Sequence, residues 1–233
     1  MKKLGIVGGT GPESTVDYYQ SIISKYQEKA GSSEDLPELL INSINMYKIF
    51  SLLEANQTEG LADYLTESVR TLEKAGADFV VLTANTAHIV FDKVQERVNV
   101  PMISIVEETY NRTEELGLGK IGLLGTKFTM ENDFFQKPFH AGAKTIVVPE
   151  PEEQQYFHEK IVSELEKGVV EEGTKKDFLE LAAKMVERDG IEGLILGCTE
   201  LPLIFKPEDL EIPQLNTTEI HVKKIIEVMF DEG

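Results

Sequence analysis

Short apolar strands alternating with helical stretches predict an α/β fold of two similar, pseudo-symmetric lobes, each a parallel sheet flanked by helices. Two internal repeats carry that prediction. The run Phe79-Val80-Val81-Leu82-Thr83-Ala84-Asn85-Thr86-Ala87-His88 aligns without a gap on Gly193-Leu194-Ile195-Leu196-Gly197-Cys198-Thr199-Glu200-Leu201-Pro202, and the register holds to Phe91 and Phe205. Earlier in each half, Lys3-Leu4-Gly5-Ile6-Val7-Gly8-Gly9-Thr10 resembles Lys120-Ile121-Gly122-Leu123-Leu124-Gly125-Thr126-Lys127. The same order of two strand-to-turn units occurs twice, at a period far too long for a solenoid.

Each element has a local reason. Residues 3–7 form an apolar run and read as a buried strand. Pro12 suits the first turn of the helix after it, because its missing N–H has no partner there anyway. Residues 39–44 read as a second strand and 62–75 as an amphipathic helix. Residues 79–82 are a third strand, 87–98 a helix and 101–105 a fourth strand. The helix over 106–116 stops at Gly117. The pattern then restarts, with strands over 121–124, 145–148 and 194–196. Helices are expected over 130–139, 150–168, 175–189 and 220–230, with a last strand at Gln214-Leu215. The repeat divides the chain into an N-terminal lobe, residues 1–98 plus 212–233, and a C-terminal lobe, residues 99–211. The last helix is expected to return to the first lobe.

Composition narrows the function. The chain has 233 residues, 41% of them hydrophobic, and a formal net charge of -18. Nucleic acids and anionic membrane surfaces are bound through basic patches, so neither is an expected partner. No apolar stretch approaches the roughly 20 residues of a membrane span. The single cysteine excludes an internal disulfide and suits the reducing cytoplasm. No Cys/His cluster has metal-ligand spacing, so no metal is expected. An acidic ligand would meet a repulsive overall field, and its site must supply local positive potential from backbone N–H groups or placed cations.

In parallel α/β sheets, ligands sit beyond the carboxyl ends of the strands. Four polar turns lie at such ends: 8–15, 83–88, 125–129 and 197–202. If the lobes face each other, the active site lies in the cleft between them. The first turn, Gly8-Gly9-Thr10-Gly11-Pro12-Glu13-Ser14-Thr15, opens a helix and offers N–H groups to an anion, with Thr10 among them. It lacks the third glycine of a dinucleotide fingerprint and the Gly-Lys-Ser/Thr of a P-loop, and a tight turn with no ligand has the same pattern. Cys198 comes directly after a strand and is expected to begin a helix, whose N-terminus would lower the thiol pKa. A lone cysteine in a core strand is also often inert. Asn85, Thr86, Thr126 and Thr199 have groups that hold carboxylates, although Asn and Thr also serve plain turn chemistry. Glu200 either fixes its turn or acts as an ordinary acid at a helix start. His88 reads as an orienting group or a satisfied structural histidine. Lys160 and Lys167 read as a solvated face, or one of them as the cation of an acidic ligand.

These residues resemble the aspartate/glutamate racemase family of cofactor-independent amino-acid racemases. The carrying motifs are Gly8–Thr15, Ala84-Asn85-Thr86-Ala87-His88, Gly125-Thr126-x-x-Thr129-Met130 and Gly197-Cys198-Thr199-Glu200, which span the chain in the family's order. The Cys-Thr-Glu form looks like the aspartate branch. The resemblance implies two lobes with the site between them, a homodimer, an acidic amino acid as substrate, and neither pyridoxal phosphate nor metal. It also implies two cysteines flanking the substrate Cα, one taking a proton and the other delivering one. Cys198 matches the second. The first is Ala84 here, which carries no proton. Thr83, one residue earlier, is the neighbouring hydroxyl, but one residue of offset at a strand end reverses the side chain. The expected catalytic set is therefore Cys198 with positions 84 and 83. The expected substrate set is Thr10, Asn85, Thr86, Thr126, Thr199, Glu200 and Lys167. Two other readings use the same turns: a single-thiol decarboxylase of malonate-type acids, and a non-catalytic binder of acidic amino acids.

Overall fold

The structure is a computed structural model that describes residues 1–231. It divides into two compact units: Met1–Glu108 together with the chain from Thr218 onward, and Thr109–Thr217. No helix among the described residues is long and apolar enough to cross a membrane.

The first unit is built on four parallel strands, β1 (Leu4–Gly8), β2 (Leu39–Ser43), β3 (Phe79–Leu82) and β4 (Met102–Ile103), in the order β2-β1-β3-β4. β1 and β3 are buried along their whole length, which is why both read as continuous apolar runs. β1 is held on both sides, with Leu4 opposite Leu39 and Phe79. α1 (Pro12–Ala30) starts on its proline and ends at Gly31, whose φ of 68° favours glycine. α2 (Met46–Glu54) is capped by Asn45, whose side chain accepts the Tyr47 N–H; nothing in the strand-to-helix alternation announced this extra helix. α3 (Thr58–Lys74) buries Leu61, Leu65, Val69 and Leu72 at helical spacing against Val7, Val80 and Leu82. The helix expected over 87–98 is instead a 3₁₀ turn over Asn85–Val90 and then the short α4 (Phe91–Gln95). α5 (Ile105–Glu115) carries the chain out of this unit.

The second unit repeats the plan. β5 (Lys120–Leu124), α6 (Lys127–Glu131), α7 (Asp133–Ala141), β6 (Thr145–Val147), α8 (Pro151–Ser163), α9 (Glu172–Lys184), β7 (Gly193–Leu196) and β8 (Gln214–Asn216) give the order β6-β5-β7-β8, again all parallel. The duplicated segments thus occupy equivalent strands, β3 and β7. The single helix expected over 130–139 is broken at Asn132, which adopts extended backbone. α8 stops at Ser163, short of the expected residue 168, and a 3₁₀ turn over Leu165–Lys167 closes at Gly168 with φ 71°. Phe157 and Phe178, on α8 and α9, stack with centroids 3.7 Å apart in the core of this unit.

α10 (Thr217–Phe230) returns to the first unit. Its Val222, Ile225, Ile226 and Met229 pack with Leu4, Ile6, Tyr18 and Phe79 on the sheet face opposite α3. The unit boundaries differ from those expected at 98/99 and 211/212. β4 pairs with β3, so residues 99–108 stay with the first unit. β8 pairs with β7, so residues 212–217 stay with the second. A two- or three-residue edge strand belongs to whichever sheet it hydrogen-bonds, and its local sequence carries no sign of which.

Candidate active site

At the strand ends of the first unit, the glycine-rich turn is shaped by close approach. Gly9 has φ 78°, and a Cβ there would lie 2.3 Å from the Ile44 carbonyl oxygen. Its N–H, expected to face an anion, donates to Thr15 Oγ1 at 2.8 Å, and that hydroxyl donates to the Gly11 carbonyl at 3.0 Å. Thr10 is half-buried, with Oγ1 3.4 Å from Thr83 Oγ1. Thr83 itself is 1% exposed and donates to the Val7 carbonyl at 3.2 Å. Its hydroxyl is thus directed at the β1 backbone, not at the position of Ala84.

Ala84 is half-buried and packs its methyl against the apolar cluster around α3. Asn85 is buried and Thr86 half-buried, and both open the 3₁₀ turn. His88 is a structural histidine. Its Nδ1 lies 2.9 Å from the Ala84 carbonyl, its Nε2 accepts the Ile105 N–H at 3.3 Å, and its ring stacks on Phe91. Burial lowers its pKa to about 4, so the ring is neutral at pH 7. Lys48 on α2, which no sequence motif marks, brings a cation to this end of the sheet. Its Nζ sits 4.0 Å from the centroid of the Tyr64 ring, whose hydroxyl accepts the Asn45 N–H at the β2–α2 turn.

The corresponding end of the second unit holds the thiol. Gly197 leaves β7 with its N–H donating to the Leu124 carbonyl at 2.7 Å, and a Cβ there would lie 2.9 Å from that oxygen. The turns after β5 and β7 can therefore touch. After β5, the Thr126 side chain caps α6 by accepting the Thr129 N–H at 3.5 Å, and the two hydroxyls are 3.3 Å apart. After β7, the half-buried Cys198 donates its S–H to Glu200 Oε2 at 2.8 Å. Thr199 Oγ1 donates to the same oxygen, also at 2.8 Å.

Two expectations change. Cys198 begins no α-helix, and the next element is a three-residue 3₁₀ turn, Leu201–Leu203. Its pKa is raised rather than lowered, first by burial, then by the charge and hydrogen bond of Glu200, with Glu166 adding to it. The resting group is a protonated thiol. Glu200 and Thr199, expected as substrate contacts, bond each other, and Glu200 also accepts from the sulfur. Glu166, in the 3₁₀ turn after α8, was not foreseen. Glu166 is exposed, but partial desolvation and then Glu200 raise its carboxyl pKa, while Lys167 beside it works the other way. Its distance along the chain hid it, since nothing local ties residue 166 to residue 198. Lys167 is exposed. Lys160 instead pairs with Glu164 at 2.5 Å, and Thr174 Oγ1 donates to the same carboxylate, which ties α8 to the start of α9. Among the described residues, no three His, Cys, Asp or Glu side chains gather as a metal-binding group.

Comparison with known proteins places the chain among relatives of the same fold. The sequence profile of the Asp/Glu/Hydantoin racemase family matches residues 7–225. The chain is 24% identical over 225 residues to the broad specificity amino-acid racemase RacX of Bacillus subtilis, covering 96% of each chain. It is 40% identical to a solved structure of an aspartate racemase homologue from Pyrococcus horikoshii OT3, with a TM-score of 0.88 over 99% of this chain and 100% of that one. A Yersinia pestis structure ascribed to the Asp/Glu racemases superposes with a TM-score of 0.93 at 28% identity, over 99% and 100% of the two chains.

Proposed function

The chain belongs to the Asp/Glu/Hydantoin racemase family, a family of isomerases, and from that premise we propose that it transfers a proton at the Cα of an acidic amino acid, with Cys198 as its one thiol acid/base. The observation that carries this reading is the Cys198–Glu200 hydrogen bond where the chain leaves β7. It gives the sulfur a defined proton and a defined acceptor. As an acid, the protonated thiol delivers its hydrogen to a carbanion directly. As a base, it first passes that hydrogen to Glu200 Oε2, and the thiolate then removes the Cα proton. The sulfur ends protonated, and Glu200 releases its proton to solvent. Thr126 in the second unit, and Thr10, Asn85 and Thr86 in the first, are the proposed carboxylate donors, with Lys167 and Lys48 as local cations against the net charge of -18. The proposal includes no pyridoxal phosphate and no metal, and a homodimeric cytoplasmic protein. The dimer rests on the resemblance alone, and the compartment on the single cysteine.

Ala84 occupies in the first unit the strand-end position that Cys198 occupies in the second, and its methyl carries no proton. Two-face inversion therefore lacks one partner, and losing a positioned acid or base costs about 10²–10⁴-fold. The test is deuterium incorporation at Cα of L- and D-aspartate and glutamate in D₂O, with circular dichroism of the same samples. Exchange of one enantiomer without inversion is expected. Absence of exchange with every substrate would refute thiol chemistry at the Cα of these amino acids and leave a binder or the single-thiol decarboxylase.

The resting protonated thiol favours one alternative. A carbanion formed by loss of carbon dioxide from a disubstituted malonate needs only a proton donor, and a single thiol suffices. Carbon dioxide release from such malonates, abolished in Cys198→Ala, would establish that reading in place of the first.

A further inference from the structure

Four histidines occur in the chain, and two of them, His88 and His221, are almost wholly buried in the first unit. Their partners settle their tautomers. A backbone carbonyl only accepts and a backbone amide only donates. His221 Nε2 faces the Ile103 carbonyl at 3.1 Å and must carry the hydrogen, so its Nδ1 accepts from the Tyr18 hydroxyl at 2.9 Å. His88 Nε2 accepts from the Ile105 amide and must be bare, so its Nδ1 carries the hydrogen to the Ala84 carbonyl. The two rings, one from α10 and one from the turn after β3, thus bond residues 103 and 105 with opposite tautomers.

We propose that His88 and His221 form a neutral-imidazole latch that holds the β4–α5 turn against the strand end at Ala84, and that a proton on His88 opens it. A second proton on His88 would sit on Nε2, pointing at the Ile105 N–H: two donors face each other and the bond is lost. His221 responds more softly, because the Tyr18 hydroxyl rotates from donor to acceptor. The groups acting on His88 are the backbone at Ala84 and Asn85, the Phe91 ring and the Ile105 amide, and burial dominates its preference for the neutral form. On His221 they are Tyr18 from α1, the Ile103 carbonyl and His88 itself, a like charge once protonated. Asp17 and Thr218 act on Tyr18, and burial above all keeps it in its neutral form. Glu108 on α5 meets Lys224 of α10 at 4.0 Å, one turn beyond the latch. The ordinary imidazole pKa of 6.5 bounds the effect from above.

The latch is independent of the reaction proposed above, and its test needs no substrate. Long-range ¹⁵N–¹H correlation spectra of the full chain at pH 7 should show His88 protonated at Nδ1 and His221 at Nε2. The amide-exchange protection of Ile105 should fall below pH 6.5 by up to about tenfold per pH unit, since opening takes up one proton, while Val81 and Leu123 in the sheets stay protected. His88→Asn keeps a donor for Ala84 and loses the acceptor for Ile105. It should lower Ile105 protection at pH 7 and remove its pH dependence. His221→Gln keeps the Ile103 bond and should leave that dependence in place. A hydrogen on His88 Nε2 at pH 7, or Ile105 protection that tracks the sheet amides through the titration, would overturn the latch.

Discussion

Replacing Glu200 by Gln should make Cys198 more reactive. The carboxylate oxygen lies 2.8 Å from Sγ and disfavours a second negative charge there. A hydrogen bond to a charged partner is worth about 1.5–3 kcal/mol and one to a neutral amide about 0.5–1.5 kcal/mol. The difference, roughly 1–2 kcal/mol, is about a 5- to 30-fold change in the thiolate fraction. Burial also raises the thiol pKa and is untouched by the substitution, so the change is an increase over a small starting value. The assay is the second-order rate of alkylation by iodoacetamide at pH 7, read on the only cysteine of the chain. The log rate against pH should also rise toward its plateau at lower pH in the variant. Slower alkylation in Glu200→Gln would refute the reasoning, because it would mean that the Glu200 carboxylate lowers the thiol pKa instead of raising it.

Four more substitutions and titrations probe the same molecule. Ala84→Cys should raise the inversion rate by about 10²–10⁴-fold over the parent chain, measured by circular dichroism on the enantiomer that exchanges; exchange that rises without inversion would show the new thiol misplaced. The depressed folded-state pKa of His88 means that the unfolded chain takes up its proton first. Its contribution is intact above pH 6.5 and is lost as pH falls toward 4, by roughly 3 kcal/mol. Urea unfolding midpoints between pH 7 and pH 4 would measure this, and a flat profile would contradict a buried neutral ring. Gly9→Ala should cost roughly 1–3 kcal/mol by the same assay, because both its φ and the Ile44 carbonyl oppose a Cβ. Phe157→Ala should cost about 3–5 kcal/mol by leaving Phe178 beside a void.

The elements legible in the sequence are those whose burial is written in consecutive residues. β1, β3, β5 and β7 are central strands covered on both faces, so they read as unbroken apolar runs. The repeat aligns β3 with β7 and sets Ala84 opposite Cys198 from residue identity alone. The elements that escape are short or depend on distant partners. α2 is set by one Asn45 cap. β4 and β8 are two and three residues long and owe their sheet to a neighbour. In the candidate site, Cys198 and its turn are visible as a motif. The direction of the thiol's pKa is not, because it depends on burial and on Glu166 from another part of the chain. Thr83 stands beside Ala84 in the sequence, yet the strand register turns its hydroxyl to Val7.

The sequence by itself determined the architecture, two copies of a strand-and-helix plan, and the inequality of the two strand ends, one with a thiol and one with a methyl. Both are consequences of residue identity and local periodicity, which need no knowledge of what lies nearby. The tertiary structure alone decided that the thiol rests protonated against Glu200, that Thr83 serves the backbone, and that His88 is a neutral clamp. Those outcomes are set by which groups are desolvated together and which donor meets which acceptor, and such pairings join residues that the chain keeps far apart.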